Sequence, residues 1–479
     1  MDRVDLLVVG GGINGAAIAR DAAGRGLKVL LVEKDDLASH TSSASSKLAH
    51  GGLRYLEQFE FKLVRESLSE RETLLQTAPH VVRPLRFILP HAEGMRPRWM
   101  VRIGLLLYDL LSFRGSLPRS RSVAPGDGEL RAPLRDGDER PLLSYSDAWV
   151  DDSRLVALNA VDAADHGAEI ATRTEFVSAR REGDHWRAEL SGRRVVEATI
   201  MVNAAGAWAG ELLQRIGVET ASRLRLVKGS HIVVPPLYAG EHAYILQQPD
   251  KRVVFALPYE GRTLIGTTDV PVASPNEARI TAEEIDYLCA AANLYFAAHL
   301  APGDVEHSFC GIRALHDDGE ASAQAVTRDY HLELDRTPGA KLLSVFGGKL
   351  TTARALASEA LDMLRVPGLK FTRTTALPGG DLTAPFLAWL EESASWLSPA
   401  LHARLSRAYG TRMREVIGGA QDLKALGRHF GAGLYQAEVR YLIDREFART
   451  ADDILWRRTK LGLHMTPSEG KALERYVSG

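Results

Sequence analysis

The stretch VDLLVVGGGINGAAIARDAAGRGLKVLLVEKDDL, close to the start of the chain, limits the fold more than any other. Apolar runs at 5–9 and 29–32 read as strands buried on both faces, and the alanines between them suit a helix packed close to a sheet. Gly10, Gly12 and Gly15 form GxGxxG in the turn, and Glu33 ends the second strand. The glycines permit a sharp turn and let backbone approach a pyrophosphate, whose charge meets the helix N-terminus. The Glu33 carboxylate suits a pair of ribose hydroxyls and disfavours a 2′-phosphate. Strand, loop, helix and acid in this order specify a dinucleotide site.

A chain of 479 residues has room for about three domains. A formal net charge of -2 gives no overall attraction to nucleic acid or anionic lipid, so no nucleic-acid partner is expected and any lipid contact needs a local patch. Cys289 and Cys310 make no CxxC or metal spacing and read as two reduced thiols of a cytoplasmic protein. No metal is expected. The opening MDRVDLLVVGGG reads as a strand entering a glycine loop, not as a signal peptide. No run reaches the ~18 apolar residues that a spanning helix needs.

The dinucleotide unit leads into TSSASSKLAHGGLRYLE, rich in hydroxyls and backbone amides that can line an extended cofactor, and then into an amphipathic helix from Glu60 to Thr77. Residues 113–141, full of Pro, Gly and charge, read as a surface excursion. SHIVVPP, KRVVFALPY and RTLIGTTDV read as neighbouring strands of a mostly antiparallel sheet. A strand–loop–helix, KLLSVFGGKLTTARALASEALDML, repeats the first unit in pattern, and beyond LPGGD the chain turns helical.

GGGINGAAIARDAAGRG, TSSASSKLAHGGLRYLE, KGSHIVVP, YILQ, IGTTD, LLSVFGGKLTT and ADDILWRRTK resemble, in order and spacing, the FAD-dependent, quinone-reducing glycerol-3-phosphate dehydrogenases of the aerobic bacterial type. The resemblance spans nearly the whole chain. It implies an α/β fold: a Rossmann-like FAD-binding domain interrupted by a β-sheet substrate-binding cap, with a C-terminal helical domain. The segments expected are FAD-binding 1–78, 145–220 and 306–370, cap 79–144 and 221–305, and helical 376–479. The implied reaction is oxidation of sn-glycerol 3-phosphate to dihydroxyacetone phosphate, with hydride passing to FAD and electrons to quinone.

Residue by residue, the resemblance gives cofactor contacts to Gly10, Gly12, Ile13, Asn14, Gly15 and Glu33. It extends them to Thr41, Ser42, Ser43, Ser46, Lys47, Leu48, His50, Gly51 and Gly52 in the second motif. Val177, Ala204, Ala205, Gly206 and Trp208 follow, then Gly347, Gly348, Lys349, Leu350 and Thr351. Arg313 and Arg328 match the family's substrate arginines, since guanidinium groups bind phosphate bidentately. Arg54, Tyr55, Thr267, Thr268 and Lys349 would complete the substrate site. His50 and His231 are the candidate bases, because imidazole suits proton transfer near neutrality. Arg313 and Lys349 would join them in catalysis.

RPRWMVRIGLLLYDLLSFR, 96–114, places Arg98, Arg102 and Asp109 on one narrow face of an otherwise apolar helix. Such a helix is usually buried, and that expectation leads. Its arginines and Trp99 also suit a helix lying on headgroups, and a quinone reductase must reach the bilayer. The implied location is cytoplasmic, attached peripherally to the cytoplasmic face of the inner membrane. In the C-terminal part, Val439, Leu442, Ile443 and Phe447 form one stripe, read as bundle packing; a homodimer contact stays open. Rival functions are an oxygen-using glycerophosphate oxidase, an amine or amino-acid oxidase of the same fold, and a non-catalytic flavin-binding scaffold.

Overall fold

The computed structural model describes residues 2–90, 96–112, 115–124, 126–135, 142–317 and 329–479, without the side chains of 54, 57 and 58. The strand Asp2–Val9 lies at the middle of an eight-stranded sheet. It pairs in parallel with Arg194–Asn203 on one side and with Val29–Val32 on the other. Glu169–Ala171 extends the sheet beyond Val32, and Lys341–Gly347 extends it in parallel beyond Asn203. Leu6, Leu7 and Val8 are wholly buried, as a strand covered on both faces requires. The glycine turn leaves this central strand where the strand order reverses, the position at which such sheets bind ligands.

The helix Ile13–Gly24 packs against the sheet and against helices Asp152–Asp165 and Ala353–Met363. Ala16, Ala19 and Ala22 are fully buried there, so a small side chain at each sets the approach.

A second, ten-stranded sheet carries Leu224–Val234, which pairs antiparallel with Arg262–Gly266, itself paired with Val253–Tyr259. Two spans expected in the FAD-binding domain carry strands of this second sheet. Strand Leu143–Val150 pairs with Val82–Leu89, and strand His307–His316 pairs with Leu224–Val234 over ten residues, so 145–150 and 306–316 join the second sheet and not the FAD-binding one. Alternation of apolar residues fixes which face of a strand is buried but not which strand it pairs with.

The C-terminal part has its own core, built from Leu405, Tyr409, Met413, Leu434, Leu442, Ile454 and Leu473 among others. The expected stripe is interrupted. Helix Gln436–Glu446 ends at Phe447, which adopts a left-handed conformation (φ 62) and packs against the core of the first sheet instead.

Helix Arg98–Leu111 is not buried. Only Leu105 and Tyr108 are enclosed, while Trp99, Met100, Ile103, Leu106, Leu107 and Leu110 are exposed. Beside them, Arg102 and Asp109 are half-buried and hydrogen-bond Ser120, and the exposed Arg98 reaches Ser122. Among the described residues, no helix is long and apolar enough to cross a membrane.

Candidate active site

The glycine turn is tight enough to exclude side chains. Gly10 has φ +117, and a Cβ there would lie 2.8 Å from the Ala204 carbonyl carbon; a Cβ on Gly15 would overlap the Gly10 carbonyl. Glu33 closes the turn by accepting the Gly11 N–H at 2.7 Å and the Asp35 N–H at 2.9 Å. Burial raises its pKa above the ordinary carboxylate value, partly offset by these two bonds. Ser42 Oγ accepts the Ile13 N–H at 3.0 Å, which joins the hydroxyl-rich loop to the helix start. Together these elements line a cavity of about 330 Å³, bordered by Gly12, Glu33, Ser42, Ala205, Gly206 and Trp208.

The other glycine pair lies opposite. Gly347 (φ +77) and Gly348 (φ +100) precede helix Ala353–Met363, and Asn14 Nδ2 donates to the Gly347 carbonyl at 3.1 Å. Asn14 Oδ1 is buried without a hydrogen-bond partner among the described residues, and a polar ligand atom would satisfy it.

On the second sheet, His231 is buried and stacked on Phe309 at 5.0 Å, with Nε2 2.9 Å from Ser46 Oγ. Gly266 makes room for it, since a Cβ there would overlap the imidazole. Burial, then the charges of Arg313 and Lys47, lower the His231 pKa well below its ordinary value. Arg313 donates to Thr267 Oγ1 at 2.9 Å and pairs with Asp269 at 2.6 Å. Its strand is held to the cofactor loop by Thr41, whose hydroxyl donates to the Ile312 carbonyl at 2.6 Å. On the first-sheet side, the His50 N–H donates to Thr351 Oγ1 at 3.3 Å, and Lys349 Nζ lies 3.9 Å over the Tyr55 ring. Burial, then the charges of Lys349 and Arg71, push His50 down to about 4. Both imidazoles are therefore neutral at pH 7.

Three of the expected contact residues have side chains engaged within the protein or turned to solvent. The Lys47 ammonium is 2% exposed and engaged with Asp152 at 2.8 Å and the Ser43 carbonyl, so this side chain shapes the loop from within. Thr268 is buried, donates to Glu284 at 2.7 Å and accepts the Ser230 N–H, which spends its hydroxyl on the sheet. Val177 turns its side chain to solvent, and its neighbours Glu175 and Phe176 line the cavity instead. Gly51 also has a structural reason: its N–H donates to Tyr108, and a Cβ would strike Leu68. Arg328, and the side chain of Arg54, lie outside what the structure describes. Lys34 and His40, which no motif marks, pack on Trp208 at 3.8 and 4.6 Å at the cavity edge. Glu33, Asp35 and His40 bring ligand atoms within 4.8 Å of one another, but the two Glu33 oxygens already accept backbone N–H groups.

Residues 5–357 match the family described as FAD dependent oxidoreductase. The chain belongs to that family. Its enzyme class is oxidoreductase and its cofactor FAD. Residues 370–478 of this oxidoreductase match the C-terminal domain of alpha-glycerophosphate oxidase. It is 50% identical to D-erythritol 1-phosphate dehydrogenase of Brucella abortus, over 98% of this chain and 96% of that one. It is likewise 50% identical to glycerol-3-phosphate dehydrogenase of Pseudomonas aeruginosa, over 99% and 94%. Among solved structures, the glycerol-3-phosphate dehydrogenase of Bacillus halodurans complexed with FAD superposes with a TM-score of 0.75 at 26% identity, over 99% of this chain and 94% of that one. The residues present fit the cofactor: a glycine cradle that no side chain could enter, a carboxylate at its end and an orphaned amide oxygen inside.

Proposed function

We propose that this oxidoreductase oxidises the secondary alcohol of a small polyol phosphate, with sn-glycerol 3-phosphate as substrate and dihydroxyacetone phosphate as product, and that a membrane quinone takes the electrons. The observation that carries the reading is the pairing of a guanidinium with neutral imidazoles beside the cofactor loop: Arg313 next to Thr267, His231 on Ser46, and His50 against Thr351. FAD, when bound, accepts the hydride. Arg313 would hold the phosphate dianion, and Thr267 would orient it. A neutral histidine accepts the hydroxyl proton as the carbon loses its hydride, so alcohol becomes ketone with both hydrogens accounted for. Lys349 would stabilise the oxygen as its proton leaves.

The membrane part of the proposal is supported by helix 98–111. Trp99, Ile103, Leu106 and Leu110 recur at helical spacing on its outer face, with Met100 and Leu107 beside them. Phe59 and Phe61, exposed at the adjoining turn, widen the apolar surface. A patch of this kind on a helix that cannot span suits a surface lying in the headgroup boundary.

D-Erythritol 1-phosphate is the second substrate to test, because a relative named for it is as similar as one named for glycerol 3-phosphate. Each compound is added to FAD-loaded protein without oxygen while the flavin absorbance is followed. Rapid bleaching by glycerol 3-phosphate, and slower bleaching by the longer polyol, is the expected outcome. A flavin that dithionite bleaches but neither phosphate ester does would refute the substrate class. Reoxidation by a soluble quinone faster than by air supports the acceptor; the reverse order makes the protein an oxidase.

A further inference from the structure

The segment ADDILWRRTK has no place in the chemistry above, yet it lies against the back of the cofactor loop. Asp453–Arg458 forms a π-helix, a geometry rare in proteins and frequent at functional sites. Arg458 faces Asp36 as a fork, Nη1 and Nη2 each donating at 2.8 Å to one carboxylate oxygen, and Arg457 Nε adds a third bond at 2.6 Å. Asp36 and Arg458 are both fully enclosed. Arg458 Nε and Nη2 also donate to the Glu446 carbonyl, so its position is fixed from the C-terminal side as well.

Asp36 is not a bystander in the loop. Its N–H donates to Ser39 Oγ and its carbonyl accepts from the same hydroxyl, closing a turn from which the Ala38 N–H donates to the Gly11 carbonyl. Gly11 is the residue whose N–H holds Glu33. A continuous set of bonds therefore runs from Arg457 and Arg458, through Asp36 and Ala38, to the glycine turn. A second line is parallel: Asp453 accepts from Arg173 at 2.7 Å, and the Arg173 N–H donates to the Asp35 carbonyl at 2.8 Å. Farther along, the Arg457 carbonyl accepts from Ser153, and Lys460 donates to Ser153 and Asp151, beside the Asp152 that holds Lys47.

We infer that residues 453–460 are positioning residues for the cofactor: they fix Asp36 and, through it, the glycine turn, so that docking of the C-terminal helical part and binding of FAD are two faces of one equilibrium. Linkage is reciprocal. Whatever factor docking adds to FAD affinity, FAD adds to docking. The inference rests on FAD being the cofactor and on nothing in the proposed substrate or acceptor, and its test uses neither.

The test uses the full chain stripped of FAD. FAD is titrated into wild type and Arg458→Lys, which keeps the charge and removes the fork, and binding is read by flavin fluorescence. In parallel, hydrogen exchange of wild type is compared with and without FAD over residues 446–460. The expected results are a Kd raised about tenfold or more in Arg458→Lys, and exchange in 446–460 slowed by FAD. A folded Arg458→Lys with a Kd within about twofold of wild type overturns the inference, and so does exchange in 446–460 that FAD leaves unchanged. If Arg458→Lys does not fold, the wild-type exchange decides alone. Failure of wild type to bind FAD at all would instead count against the cofactor.

Discussion

Replacing Leu106 and Leu110 by serine gives the sharpest check on the proposed membrane surface. The two side chains are 46% and 69% exposed, which together leaves a little more than one leucine side chain in water. Full burial of a leucine is worth about 1.5–3 kcal/mol, so moving this area into a bilayer interface contributes about 2–3 kcal/mol. Its loss lowers the partition coefficient roughly 30- to 150-fold. Because both positions already face solvent, the thermal midpoint should stay within about 2 °C of wild type. The assay is sedimentation with sucrose-loaded vesicles of mixed neutral and anionic lipid, over a range of lipid concentration. Leu369→Ser is the control: Leu369 is 79% exposed, more than either target, but lies outside helix 98–111, so its substitution should leave partition unchanged. A double variant that partitions within threefold of wild type, or an equal loss in Leu369→Ser, refutes the assignment of this face.

Three further outcomes are expected. Since His50 is pushed down to about 4, kcat at saturating glycerol 3-phosphate, where the free substrate's own phosphate ionisation drops out, should show no titration near 6.5, and an acid limb in kcat with a midpoint at 6.5 would contradict a role for His50 as the base. His80, lowered to about 3 by burial and then by Arg154, is neutral when folded but binds a proton near 6.5 when unfolded. It therefore supplies stability above pH 6.5 that is lost as pH falls toward 3, about 2 kcal/mol by pH 5. Urea unfolding of wild type and His80→Gln at pH 7 and pH 5 should show a smaller pH difference in the variant. Gly266→Ala should keep the flavin spectrum but lower kcat on the order of 100-fold, because the added Cβ displaces the His231 ring; loss of FAD with unchanged turnover per flavin would contradict this.

The cofactor half of the molecule was legible because its chemistry is local. GxGxxG, the following helix and Glu33 lie within one βαβ unit, and the cavity forms around them as the spacing implies. Where the side chains of Lys47 and Thr268 go was not legible for the same reason, since a motif shows which residues cluster but not which way each side chain turns. The partners that engage them, Asp152 and Glu284, are 105 and 16 residues away and carry no local signal. Helix 98–111 was placed correctly as a helix, yet its burial depends on whether another element covers its apolar side. The segment 120–122 bonds to its polar side and leaves the apolar side uncovered.

The bridge between Asp36 and Arg458 joins residues 422 apart. At a synthesis rate of about 5–20 residues per second, the turn carrying Asp36 leaves the ribosome about 20–85 s before its partner exists. Strand Asp2–Val9 waits as well, for Arg194–Asn203 on one side. The strand is thus closed less than halfway along the chain, while the turn beside it stays without its guanidinium partners until residues 457 and 458 are made. A chain shortened before Arg457 would keep strand Asp2–Val9 paired but leave the Asp36 carboxylate without its guanidinium partners, and so expose that loop to chaperones and proteases.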